Sequence, residues 1–213
     1  MMRKLTKQKA AEVIDRLREE YPQAACSLDH RDVWQLLVCV TLSAQTTDAS
    51  VNRVSPALFE KYPDLYALAE ADPADVAEII KTIGMYRQKS RHIVEQAKML
   101  RDEFGGKVPE DDALLQKLPG VGVKTANVVM ADGFGHQRIA VDTHVFRVSN
   151  RIGLAASDNV ADTEADLRRI LPEDRWTESH HEIIYHGRNC CRARDPECGR
   201  CCVNDLCLKR GVK

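Results

Sequence analysis

Residues 114–126 read LLQKLPGVGVKTA. Leu114, Leu115 and Leu118 give a short apolar helix that runs into Pro119-Gly120-Val121-Gly122, and a second helix is expected to start at once at Val123. Two glycines flanking a small apolar residue are expected to let the backbone take positive φ and bring bare N–H groups to the surface. Those donors sit at the mouth of the second helix, where the positive end of the dipole favours an anion. The product is a phosphate clamp that needs no net positive charge. Taken alone, the same residues equally describe a plain helical turn with glycine as its C-cap.

Outward from this hairpin the chain reads as helices throughout. Ala10, Val13, Ile14, Leu17 and Tyr21 recur at helical spacing and predict an amphipathic first helix ending near Pro22. Residues 33–42 (VWQLLVCVTL) are apolar almost all round and predict a buried central helix. Asp48 is expected to cap the next helix, in which Pro56 should produce a bend or a restart. Asp72-Pro73 predicts an N-cap with proline in the first turn, and Gly84 is expected to stop that helix. Helices are further expected over 91–104, 112–118, 123 to about 134, 143–152, 160–171 and 176 to about 190. No repeat, Gly/Pro/Ser-rich linker or clear strand interrupts them, so the fold class is all-α.

The chain has 213 residues, with 31 Lys+Arg against 32 Asp+Glu, 44% apolar residues and 5% aromatics, which excludes disordered and collagen-like classes. No apolar run reaches the roughly 20 residues that span a bilayer, and the basic start lacks the apolar core of a secretory signal. A cytosolic setting and no membrane partner are therefore expected. A net charge of −1 does not announce a nucleic-acid partner, but the charge is uneven. Residues 186–213 hold seven bases and three acids, a net of +4, leaving −5 for the rest. Six of the eight cysteines also lie in the last 24 residues: Cys190, Cys191, Cys198, Cys201, Cys202 and Cys207. In a reducing compartment such crowding points to a metal or cluster before disulfides, and by itself leaves zinc and iron–sulfur open. Cys26 and Cys39 read as core residues.

Lys124 falls in the first turn of the second hairpin helix, where the dipole opposes a cation and partial burial is expected to favour its neutral form. That is a poor place for a structural lysine and a good one for a nucleophilic amine, although a solvated lysine touching a phosphate fits as well. Asp142 precedes the helix at Thr143 and suits an N-cap; a carboxylate there also suits stabilisation of a cationic transition state.

These residues join a wider pattern. Ser43-Ala44-Gln45-Thr46-Thr47-Asp48, Lys81-Thr82-Ile83-Gly84-Met85-Tyr86, Val108-Pro109-Glu110-Asp111, the hairpin through Asn127, and Val141-Asp142-Thr143-His144 together resemble endonuclease III. That family comprises bifunctional DNA glycosylase/AP lyases of the helix-hairpin-helix superfamily, and the resemblance spans nearly the whole chain in the expected order. It implies a two-lobed helix-hairpin-helix DNA glycosylase fold with a C-terminal iron–sulfur cluster loop. One helical domain would run over 27–136, and a cluster domain would join 1–26 to 137–213, with the active-site cleft between them. Cys191, Cys198, Cys201 and Cys207 match the family's ligands for a 4Fe–4S cluster, leaving Cys190 and Cys202 as extra neighbours. Lys124 matches its Schiff-base lysine and Asp142 its catalytic aspartate. Gln45 matches a residue that fills the gap left by an extruded nucleotide, and Met85, with Ile83 beside it, matches a wedge in the opposite strand.

The implied activity is excision of oxidised pyrimidines followed by a nick through β-elimination, on damaged double-stranded DNA, by a monomer. Gly120, Gly122 and Val123 would meet the DNA backbone, and Arg192, Arg194 and Arg200, tied between cluster ligands, would contact phosphates. Two departures bear on this. Val123 stands where the family often has Arg, which removes one backbone contact. Cys39 stands roughly where the sister adenine glycosylases carry a catalytic Glu, which argues against that activity. The competing readings are a monofunctional mismatch or uracil glycosylase on the same scaffold and a non-catalytic DNA-binding iron–sulfur protein.

Overall fold

Residues 4–212 are described by a computed structural model, and they form eleven α-helices with no strand among them. In chain order these are α1 (Lys7–Glu20), α2 (Val33–Ser43), α3 (Asp48–Lys61), α4 (Leu65–Ala69), α5 (Pro73–Ile79), α6 (Tyr86–Glu103), α7 (Asp112–Leu115), α8 (Val123–Val128), α9 (Thr143–Ile152), α10 (Val160–Ile170) and α11 (Trp176–Asn189). Two short 3-10 turns, Glu173–Arg175 and Cys198–Arg200, accompany them, and a π-helix, Val129–Gly133, continues α8 directly. Among the described residues no helix is long and apolar enough to cross a membrane.

Side-chain caps explain most of the boundaries, and they correct several expectations. Asp72 accepts from the Ala74 amide with Pro73 in the first turn of α5, as its sequence predicts. For α3 the cap is Thr47, which accepts from Ser50, and Asp48 is instead the acid of the first turn. Pro56 does not split that helix, which runs unbroken from Asp48 to Lys61. α4 lies where no helix is expected; Asp64 caps it, and at five residues it is too short to show a period. α5 closes at Ile79, well before Gly84. α6 begins at Tyr86 rather than at Arg91, because the polar residues Lys89 and Ser90 are themselves buried and break the apolar pattern.

By internal packing the chain forms two units, one of Met1–Cys26 with His136–Lys213 and one of Ser27–Gly135. In the Ser27–Gly135 unit, α2 is buried on nearly every side and packs on α3, α6, α8 and the π-helix. α6 packs on α4 and α5, and its Ile93, Val94, Ala97 and Leu100 are buried. Cys39 is in this core; Cys26, expected in a core, is only half-buried. In the other unit α11 packs on α9 and α1, around Val13, Ile14, Leu17, Val145, Val148, Ile152 and Ile183.

Candidate active site and metal centre

The hairpin forms as a tight turn between α7 and α8. Gly120 takes φ +77°, and a Cβ there would stand 2.6 Å from His92 Nδ1, so both the backbone and the space require glycine. Gly122 does not share that conformation: at φ −100°, ψ −179° it is extended and serves as N-cap of α8, which corrects the expectation of two positive-φ glycines. Its missing side chain leaves α8 with no side-chain cap bond, so the first amides of the helix stay uncapped at an exposed surface. Gln96, buried in α6, donates through Nε2 to the Pro119 carbonyl at 2.6 Å and to Thr41 Oγ1 at 2.9 Å. That anchor, between residues 23 apart, has no local sequence signal.

Lys124 and Val123 project from the first turn of α8, and both are exposed, Val123 to 60%. Partial burial of Lys124 is therefore not a property of the chain by itself. Asp142 is half-buried at the N-cap of α9, and its Oδ1 accepts from the Val145 amide at 2.7 Å.

Gln45 and Met85 share an unusual property. Both are exposed non-glycine residues in the left-handed region, at φ +54° and +58°. Such a backbone costs on the order of 1–3 kcal/mol per residue and persists where surrounding structure imposes it. Met85 is 51% exposed, an uncommon state for a large apolar side chain at a helix start. The two turns are neighbours: a Cβ on Gly84 would lie 4.0 Å from the Gln45 carbonyl oxygen and 3.8 Å from Thr46 Oγ1. Ile83, by contrast, is 3% exposed and belongs to the core, which leaves it no surface to offer a DNA strand.

Cys191, Cys198, Cys201 and Cys207 all line one cavity, together with Cys190 and His186. The tightest donor group among the described residues is His186, Cys190 and Cys201, whose ligand atoms lie within 4.8 Å of one another; His186 had no signal in the cysteine spacing. Nitrogen donors face three of the four signature sulfurs. Lys209 donates its amide to Cys207 Sγ at 3.3 Å, Arg151 Nη1 approaches Cys191 Sγ at 3.7 Å, and His186 Nε2 stands 3.6 Å from Cys201 Sγ. Soft sulfur donors lined up with N–H groups fit a thiolate-held metal centre. Hydrogen bonding from Cys202, assisted by His186, draws the Cys201 thiol down to about 4, while burial pushes Cys190 up to about 12.

Two arginines of α9 hold the start of this loop by its carbonyls. Arg147 donates to Gly187 at 2.9 Å and Cys191 at 3.2 Å, and Arg151 to Arg192 at 2.6 Å and Ala193 at 3.0 Å. Of the three arginines expected to meet phosphate, Arg192 and Arg200 both form ion pairs with Glu197. Arg194 is exposed and takes no part in that pairing.

With the hairpin, the left-handed turns and the cysteine loop placed, comparison with known proteins defines the class. Residues 38–173 match the family described as HhH-GPD superfamily base excision DNA repair protein. Endonuclease III of Synechocystis is 44% identical over 210 residues, covering 97% of this chain and 96% of that one. Endonuclease III of Escherichia coli K12 is 43% identical over 203 residues, covering 95% and 96%. A solved structure of a trapped covalent intermediate of endonuclease III with DNA matches with a TM-score of 0.91 at 44% identity, over 96% of this chain and 97% of that one. The chain belongs to the endonuclease III family. It is a base excision repair enzyme that combines DNA glycosylase and abasic-site lyase activities.

Proposed function

We propose that this enzyme releases oxidised pyrimidines from duplex DNA, as a cytosolic monomer without a membrane partner, and that Lys124 is its covalent nucleophile. The observation that carries this reading is the pairing, in one first turn, of an exposed amine with the uncapped amides of α8. The amides take a backbone phosphate and the amine then lies beside the sugar that the phosphate carries. Lys124 Nζ attacks C1′ as the bond from C1′ to the damaged base breaks, and the base leaves with a proton. Loss of a proton from Nζ and opening of the sugar give an imine. Loss of a C2′ proton then breaks the C3′–O bond and nicks the strand. Attack needs a neutral amine; Lys124 is exposed in the free chain, so exclusion of water is assigned to the bound duplex. Asp142 is assigned the stabilisation of positive charge on the sugar, with Oδ1 oriented by its cap bond.

Gln45 and Met85 are assigned to the space left by the extruded nucleotide, Gly120, Gly122 and Val123 to backbone contact, and Arg194 to a phosphate. Cys191, Cys198, Cys201 and Cys207 would hold a 4Fe–4S cluster, which when bound supplies a rigid fastening for the basic loop. The test is trapping with borohydride on a duplex carrying thymine glycol. A covalent protein–DNA species is expected for the natural chain and none for Lys124→Gln. A crosslink that survives Lys124→Gln, or base release without any nick by the natural chain, overturns the assignment.

A further inference from the structure

Lys89, in α6, is a buried lysine outside the machinery assigned so far. It is 3% exposed, and burial lowers its pKa below the usual lysine value. No carboxylate offsets that burial; its ammonium donates to Thr46 Oγ1 at 2.8 Å, across 43 residues of sequence. For stability alone this is a poor choice, because a methionine of similar length would fill the same space without a charge to desolvate. The amine is well placed for something else. Thr46 directly follows Gln45, and the Lys89 amide donates to the Met85 carbonyl at 3.0 Å. Through its side chain and its backbone, Lys89 thus joins the turn that carries Gln45 to the one that carries Met85, the two exposed left-handed residues of the Ser27–Gly135 unit.

We propose that Lys89 is a positioning residue for base extrusion, fastening the Gln45 turn to the Met85 turn so that the two side chains enter the duplex together. The proposal rests on the assignment of Gln45 and Met85 to the extruded-nucleotide gap. Its consequence is selective. Extruding a paired, stacked base requires both plugs, whereas an abasic site has no base to unstack and needs them less. A loosened tether therefore slows base release more than it slows nicking of a ready-made abasic site. A general loss of structure would slow both together.

The experiment measures single-turnover base release from a thymine glycol duplex and nicking of an abasic duplex by the full chain, with thermal unfolding alongside. Lys89→Met and Thr46→Val are each expected to lower the ratio of the first rate to the second by about tenfold, the kinetic equivalent of a hydrogen bond to a charged group. The double variant should be no worse than either single one, and Thr46→Ser, which keeps the hydroxyl, should restore the ratio. Lys89→Met should unfold at a temperature no lower than the natural chain. An unchanged ratio, losses that add in the double variant, or a Thr46→Ser variant as poor as Thr46→Val overturns the tether. Met85→Ala serves as the control for the underlying assignment. If it lowers the ratio while Lys89→Met does not, only the tether falls; if it leaves the ratio unchanged, the gap-filling assignment falls and the tether with it.

Discussion

Asp142 Oδ1 accepts a hydrogen bond from the Val145 amide at 2.7 Å, so one carboxylate oxygen is committed to starting α9 before any chemistry is asked of the residue. The two duties separate by substitution. Asn keeps an oxygen for the cap and loses the negative charge; Ala loses both. Asp142→Asn is expected to unfold within a degree or so of the natural chain yet release base about 10²–10⁴-fold more slowly, the range for a catalytic proton-transfer or charge-stabilising group. Asp142→Ala should in addition lose about 1 kcal/mol, or roughly 2–4 °C in Tm. Differential scanning calorimetry with single-turnover kinetics checks both. A fully active Asp142→Asn would reduce the residue to a helix cap.

Charge at the DNA-facing surfaces is expected to act unevenly. Val123 is exposed next to the uncapped amides of α8, so Val123→Arg adds a cation where no neighbouring acid is shown to quench it. Binding to duplex DNA should tighten at low salt, with the slope of log K against log salt steeper by about 0.9. Arg194→Gln should make it shallower by about the same amount. Arg192→Gln should change it far less, because Arg192 already forms an ion pair with Glu197. Anisotropy titrations across a salt series measure all three, and equal effects of Arg192 and Arg194 would show that the ion pair opens on binding.

The elements that sequence makes visible here are those built from local rules. The hairpin announces itself because Gly120 must take positive φ, and Asp72-Pro73 because cap and first turn are adjacent residues. The start of α6 is hidden because Lys89, Ser90 and Gln96 are polar yet buried, so the stripe of apolar residues breaks where the core does not. The contacts that shape the sites are less visible still. Gln96 to Pro119, Lys89 to Thr46 and Arg151 to the Arg192 carbonyl join residues 23 to 43 positions apart, and no periodicity encodes such pairs. Lys124 and the four signature cysteines stand out through residue type and spacing, whereas His186 emerges only when α11 is set against the cysteine loop.

The composition of the metal centre can be decided by removing ligands singly. Cys198→Ala is expected to abolish iron and acid-labile sulfide in the purified protein, together with the broad visible absorption of an iron–sulfur chromophore. Cys190→Ser and Cys202→Ser should retain both, since neither belongs to the four signature cysteines and burial raises the Cys190 thiol above its ordinary value. Because Cys190, His186 and Cys201 form the tightest donor group, loss of iron from Cys190→Ser would move the ligand set away from the four signature cysteines. Zinc in place of iron in the natural chain would overturn the cluster itself.

Glu182 gives the fold a pH dependence of unusual sign. It is 3% exposed in α11, its Oε2 is buried without a hydrogen-bond partner, and the nearest cation, Arg175 Nη2, is 3.8 Å from Oε1. Burial pushes its carboxyl up from 4.5 to about 7, and the attraction of Arg175 offsets only part of that. Between those values the folded chain holds a proton that the unfolded chain has released. Raising the pH through this window therefore weakens the fold, by on the order of 3 kcal/mol once Glu182 is ionised in both states. Ordinary paired carboxylates act in the opposite direction and in a lower window. Glu182→Gln mimics the protonated form at every pH, so urea unfolding at pH 5 and pH 8 should show the natural chain losing more stability on that rise than the variant does. Taking the difference between the two proteins at each pH cancels every other titrating group. Equal losses would mean that Glu182 is already ionised at pH 5, with Arg175 compensating its burial.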